Sequence, residues 1–155
     1  MTERKSFKYY WEDFPAGKSE EFGGVRVDRD EIIEFARRYD PQPFHVDEEE
    51  AKRSSFGGLI ASGWMTAGLA MKMACDAFWS HAASLGSPGV EQLKWTRPVR
   101  PGDTLKVRLT VLEARPLKSK PNVGLLKNRW EVLNQDREVV MQMEGFAMLE
   151  RRNAA

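Results

Sequence analysis

Between Ala61 and Ala82 the chain is apolar on nearly every side: Trp64, Met65, Leu69, Met71, Met73, Phe78 and Trp79 are interleaved with Ala67, Gly68, Ala70, Ala74 and Ala77. A helix without a polar face has to be enclosed by other protein, and the small residues let backbone approach it closely. Ser62, Gly63, Thr66, Gly68 and Lys72 interrupt the run, so it falls short of the ~18 uninterrupted apolar residues a membrane span needs. After a loop from Ser84 to Pro88 the character changes to strands. Gly89 to Val99 reads as one strand, ended by the tight turn Arg100-Pro101-Gly102-Asp103. Thr104 to Leu112 sets Leu105, Val107, Leu109 and Val111 against Lys106, Arg108 and Thr110, the alternation of a half-buried strand. Gly124 to Leu133 and Glu138 to Leu149 form two more, joined by the turn Asn134 to Arg137. One enclosed helix followed by four long, antiparallel strands predicts an α+β domain in which a sheet wraps a central helix.

The segment ahead of that helix is organised differently. To about Val27 it is aromatic-rich and then strand-like, punctuated by the turn Pro15-Ala16-Gly17. Asp28 to Glu31 has the spacing of a capping box. Behind it Ile32, Phe35, Ala36 and Tyr39 recur at helical spacing, predicting an apolar stripe on a helix of roughly three turns. Pro41 and Pro43 then stop the helix, since neither donates a backbone N–H and each restricts its predecessor. Asp40 to His45 is therefore expected as a stiff, extended loop, followed by a short helical turn from Asp47 to Arg53 and a loop from Ser54 to Gly58.

The 24 basic and 23 acidic side chains leave a formal net charge of +1, so no global field draws nucleic acid or an anionic membrane. Cys75 is the one cysteine, which excludes an intrachain disulfide and a thiolate cluster. Set among Met71, Met73, Ala74 and Phe78, it reads as a small buried hydrophobe, and a reducing, cytoplasmic setting fits. The stretch from Met1 to Asp13 carries acidic residues and no apolar core, so it is not read as a secretory signal. No repeat or linker divides the sequence, and a single domain, residues 1–155, is expected.

Histidine chemistry has two candidates, His45 and His81. His81 ends the apolar helix, where a role at the helix dipole is expected. His45 lies five residues after Asp40 on the proline-braced segment. A carboxylate and an imidazole converging on one water suit the addition of water to an activated double bond, which needs one group to take a proton and one to return it. The D-x4-H spacing equally fits a helix end followed by an ordinary surface histidine. Gly63, at the start of the apolar helix, has two readings as well. Its N–H is a first-turn donor suited to a developing oxyanion, or the glycine merely permits close packing.

Three segments together resemble the MaoC-like dehydratases, relatives of the (R)-specific enoyl-CoA hydratases. They are Tyr39 to Asp47 (YDPQPFHVD), Phe56 to Trp64 (FGGLIASGW) and Arg97 to Leu105 (RPVRPGDTL), in that order. The resemblance implies a hot-dog fold, a curved antiparallel sheet wrapped around a long central helix and usually paired into a homodimer. It implies Asp40 and His45 as a water-activating dyad and Gly63 as the amide that holds the thioester carbonyl. Ser62, Trp64 and Gln42 become candidates for substrate contact. No metal or redox cofactor is implied; coenzyme A or a carrier-protein pantetheine is the substrate's handle. The sequence departs from the family at Gln42, commonly Asn, at Ser62, commonly His, and at Met71, where a serine is common. The last two bear on the pocket lining, and so on the substrate.

The implied activity is reversible hydration of an enoyl-CoA to the 3-hydroxyacyl-CoA. Thioester hydrolysis on the same fold and a non-catalytic acyl-thioester binding subunit are the alternatives. Lys94, Arg97, Arg100 and the residues around Lys120 suit either coenzyme A phosphates or solvated strand faces. Met65, Met71 and Met73 suit either an acyl tunnel or plain core.

Overall fold

The computed structural model describes residues 6–153. The start of the N-terminal segment and both ends of the expected 1–155 domain lie outside the described residues. Among the described residues nine strands and α-helices follow one another: β1 (Ser19–Arg26), α1 (Arg29–Tyr39), α2 (Pro43–Val46), α3 (Glu48–Arg53), α4 (Gly63–Ala77), β2 (Val90–Trp95), β3 (Thr104–Pro116), β4 (Val123–Leu133) and β5 (Val139–Glu150). The strands form one sheet in the order β1-β3-β4-β5-β2, every neighbouring pair antiparallel. Each pairing carries a register shift, for instance between Val111 and Glu113. Such irregularities bend a strand and increase its twist. The bent sheet receives α4 on its inner face, where the helix touches β1, β3 and β5. This is the α+β hot-dog architecture, with α4 as the central helix.

The alternation in β3 does what its spacing requires: Leu105, Val107, Leu109 and Val111 are all buried. Leu126, Trp130 and Val132 of β4 and Val140, Met141 and Leu149 of β5 complete the same core against Met65, Ala70, Met73 and Ala74 of α4. Gly23 makes the approach of β1 possible. Its φ of +100° is open to glycine, and a Cβ there would collide with the Met73 side chain.

Four expectations are corrected. The central helix ends at Ala77, and a 3₁₀ turn, Trp79–His81, follows. There Phe78 and Trp79 turn into a ring cluster with Phe14, while Tyr9 and Phe22 pack on Phe78. Nor is α4 enclosed on every side within one chain, for Trp64 is 59% and Met71 46% exposed. The sheet covers one face, and an all-apolar pattern does not say what covers the other. β2 is six residues long, because at Thr96 the chain leaves the sheet edge: the N–H groups of Thr96 and Arg97 both turn to Val140 O, and Pro98 has none. The buried stripe of α1 is Ile32, Ile33 and Ala36, with Tyr39 exposed.

Leu126 has no exposed surface. Leu126→Ala is expected to lower unfolding stability by about 2–5 kcal/mol. Arg129→Ala, on the exposed face of the same strand, should stay within about 0.5 kcal/mol of the parent. Urea denaturation of both proteins measures the difference.

Candidate active site

The site is assembled from helix ends. Asp28 caps α1, its carboxylate accepting from Glu31 N–H at 3.1 Å. Asp40 closes the helix, its own N–H donating to Ala36 O at 2.8 Å. The expected extended loop is absent beyond Gln42. Pro43 is the first residue of α2, where a missing N–H costs nothing and its fixed φ suits the helix. Gln42 O accepts from His45 N–H at 2.9 Å, so His45 rides on a helical turn. Asp47 ends that turn and caps α3, accepting from Glu49 and Glu50 N–H.

His45 is almost fully buried, at 4% exposure. Its Nδ1 lies 2.7 Å from Ile60 O. A carbonyl only accepts, so Nδ1 carries the hydrogen and Nε2 is the bare nitrogen of the neutral ring. Ile60 is held in turn, its N–H donating to Phe44 O at 3.3 Å, while Ala61 N–H donates to Val99 O at 2.8 Å. The Phe44 ring stands edge-on to the imidazole, with centroids 4.5 Å apart.

Nε2 of His45 faces Asp40 Oδ2 at 3.3 Å. The same oxygen accepts from Ser62 Oγ at 2.7 Å, and Oδ1 accepts from Gln42 Nε2 at 2.7 Å. Burial acts to raise the Asp40 pKa, but the donors Gln42 and Ser62 and the positive form of His45 outweigh it and hold it below the ordinary carboxylate value. With the ring neutral, a carboxylate oxygen and a bare imidazole nitrogen converge, an arrangement suited to a water that donates a hydrogen to each.

Ser62 also accepts from Trp64 N–H at 3.3 Å and caps α4, while its carbonyl takes Met65 and Thr66 N–H. Expected as a substrate contact, Ser62 is instead fully buried and turned onto Asp40. Gly63, Trp64 and Gln42 line a cleft of about 380 Å³ together with Asp40 and His45. A Cβ on Gly63 would collide with the Trp95 indole, so close packing is one reason for the glycine. Trp95 meets Trp64 edge to face at 5.1 Å. Sequence reasoning missed Trp95 and Thr66 as cleft residues. An aromatic near the end of an edge strand was the one signal for Trp95, and nothing local joins position 95 to position 63.

The remaining candidates are dispersed. Met65 and Met73 are core, Met71 is exposed, and the three do not line the cleft. Cys75 is half-buried. His81 is exposed beyond the far end of α4. Arg97 lines the cleft and pairs with Glu138 at 2.7 Å, whereas Arg100 donates to Phe56 O. Pro101 and Gly102 form the expected turn, with Asp103 N–H donating to Arg100 O at 3.1 Å. Among the described residues there is no helix long and apolar enough to cross a membrane, and no cluster of three or more metal-ligating side chains.

Residues 14–131 match the family described as MaoC like domain. The uncharacterized protein YdeM of Bacillus subtilis is 28% identical over 140 residues, covering 90% of this chain and 98% of its own. A 3-hydroxybutyryl-CoA dehydratase of Methylorubrum extorquens is 31% identical over 112 residues, 69% of this chain and 66% of its own. The crystal structure of a MaoC-like dehydratase from Rhodospirillum rubrum superposes with a TM-score of 0.85 at 37% identity, covering 94% of this chain and 99% of that one.

Ser62→Ala removes both a helix cap and an Asp40 donor. It is expected to cost about 1–2 kcal/mol of stability and to raise the Asp40 pKa, measured by carboxyl ¹³C NMR titration. A depressed carboxylate pKa stabilises the fold above its unfolded value, about 3.9, and that contribution fades as pH falls through the folded value. The deficit of Ser62→Ala against the parent should therefore be largest above about pH 5 and shrink on acidification, leaving the loss of the cap.

Proposed function

The chain belongs to the MaoC-like dehydratase family, and from that premise we propose that it catalyses the reversible hydration of an enoyl-CoA to the 3-hydroxyacyl-CoA. One observation carries the reading. Among the residues lining the cleft, Asp40 and His45 are the only carboxylate and imidazole, there is no thiol, and they lie 3.3 Å apart.

In the hydration direction a water donates one hydrogen to Asp40 and the other to Nε2 of His45. As the water oxygen bonds to C3 of the enoyl group, His45 takes a proton from it as general base. The C2=C3 electron pair moves toward the thioester carbonyl, whose oxygen becomes negative. Gly63 N–H, at the positive end of α4, suits the stabilisation of that oxyanion. The Nε2 proton of the imidazolium is then delivered to C2, closing the enolate and restoring the neutral ring. Asp40 remains a carboxylate throughout, in keeping with its lowered pKa; it orients the water and stabilises the imidazolium.

Gln42 and Trp64 are proposed to bound the thioester end of the substrate, and Ser62 to act by holding Asp40. Coenzyme A or a carrier-protein pantetheine is the handle; no metal or redox cofactor, nucleic acid or membrane partner enters the scheme. A cytoplasmic homodimer is part of the same proposal. Trp64, Met71, Val90 and Trp95 leave apolar surface on α4 and β2, and β2 is an edge strand, the kind of edge a second copy would cover. Sedimentation equilibrium is expected to give twice the 17.7 kDa chain mass.

Asp40→Asn and His45→Ala are each expected to lower kcat/KM for crotonyl-CoA or a longer enoyl-CoA by roughly 10²–10⁴-fold, with unchanged far-UV circular dichroism. Loss of the enoyl-thioester absorbance follows the reaction. Parental rates in either protein overturn the assignment. Free thiol released from acyl-CoA, with no enoyl loss, would favour hydrolysis, and ligand binding without turnover would favour a binding subunit.

A further inference from the structure

Among the described residues six that line the Asp40–His45 cleft are buried: His45, Ile60, Ala61, Thr66, Val99 and Val140. They form its floor, while Gln42, Trp64, Trp95 and Arg97 are exposed at its rim. Four of the six are apolar, and the His45 ring already faces Ile60 O and Asp40. Thr66 is the other polar group, at 2% exposure. Its N–H donates to Ser62 O at 3.1 Å, but its hydroxyl has no partner among the described residues. Nor is that oxygen sealed off. The side-chain atoms both enclosed and unpartnered are Asn128 Oδ1 and Arg151 Nε, so the free hydroxyl opens on the cleft that Thr66 lines.

A threonine inside a helix can turn its hydroxyl back to the carbonyl four residues earlier. Here that carbonyl, Ser62 O, already accepts from Met65 and Thr66 N–H, which occupies both of its lone pairs. The hydroxyl is left for whatever fills the cleft. Thr66 stands three residues after Gly63 on the same face of α4, roughly 4.5 Å further along the axis. In the scheme proposed above Gly63 N–H meets the thioester oxygen. The atoms facing Thr66 are then roughly three to four bonds further on, at C4 or C5 of the acyl group. An aliphatic chain there covers the hydroxyl without giving it a partner, a penalty that an oxygen in the same place avoids. Trp64 and Trp95, which the proposed second copy would cover, belong to the rim; Thr66 lies beneath it.

We propose that Thr66 is a specificity-determining residue, which makes the cleft favour enoyl thioesters carrying an oxygen (hydroxyl, ether or keto) near C4 or C5 over plain aliphatic ones. The Thr66 hydroxyl donates to that oxygen, and Val99 and Val140 take the carbon atoms beside it. The inference rests on the hydration reading for the placing of the acyl group, and adds to it the class of acyl chain.

Isothermal titration calorimetry of the full chain with saturated, unreactive thioesters reads binding without turnover. Two isosteric pairs serve, pentanoyl-CoA with 3-methoxypropanoyl-CoA and hexanoyl-CoA with 4-methoxybutanoyl-CoA, which put an ether oxygen in place of C4 or C5. Comparing the ether-to-alkyl ratio of affinities in the parent with that in Thr66→Val cancels the difference in hydration between the ligands. In at least one pair the ratio is expected to fall about tenfold in Thr66→Val and to stay near the parent's in Thr66→Ser, which keeps the hydroxyl. Ratios unchanged in Thr66→Val for both pairs, a fall that Thr66→Ser shares, or no binding of any of the four thioesters would each overturn the proposal. Hydration of crotonyl-CoA by the parent is followed in parallel. Hydration without the shift in ratio overturns the role of Thr66 alone, whereas the shift without hydration supports that role and overturns the proposed activity.

Discussion

The hydroxyl of Ser62 joins two helix ends. Its oxygen accepts from Trp64 N–H and so starts α4, and its hydrogen goes to Asp40 Oδ2 at the end of α1. Ser62 is fully buried and Asp40 partly so, which strengthens the contact and makes either partner costly to remove. The placing of Asp40 at the start of α4 depends on it. Asp40 faces His45 because Ser62 and Gln42 hold both of its oxygens. His45 faces Asp40 because Ile60 O fixes its other nitrogen. Ile60 and Ser62 belong to one short segment leading into α4, so a single stretch of backbone orients both members of the pair.

This arrangement also relates the chemistry to the fold. The core that seats α4 on the sheet fixes where its first turn lies, and therefore where Gly63 N–H points. Trp95, from the edge strand β2, stacks where a Gly63 side chain would be and walls the cleft with Trp64. The catalytic scheme needs little from the rest of the molecule beyond this rigidity.

Much of this was legible in the residues, for identifiable reasons. The strand alternation of Leu105 to Val111 and the cap at Asp28 are local patterns with one physical meaning each, and both appear as expected. Asp40 and His45 were legible as a pair through the resemblance of Tyr39 to Asp47 to the family's motif, since the spacing of five positions alone fits an ordinary surface histidine equally well. Their conformation was not: prolines at 41 and 43 signal a break, yet a proline in the first turn of a helix is favourable, and Pro43 starts α2. The inward turn of Ser62 and the arrival of Trp95 depend on contacts across 22 and 32 residues, which no local pattern encodes. The exposed face of α4 was hidden for a related reason, since apolar residues mark burial without naming what buries them.

With His45 taking the proton from water and returning it to C2 from one wall of the cleft, the hydroxyl and the proton should reach the same face of the double bond. Hydration of an enoyl-CoA in D₂O, with the relative configuration at C2 and C3 of the product read from the proton NMR coupling, examines this directly. Addition of OD and D to one face is the expected result. Addition to opposite faces, or deuterium scrambled at C2, would contradict the Asp40–His45 scheme.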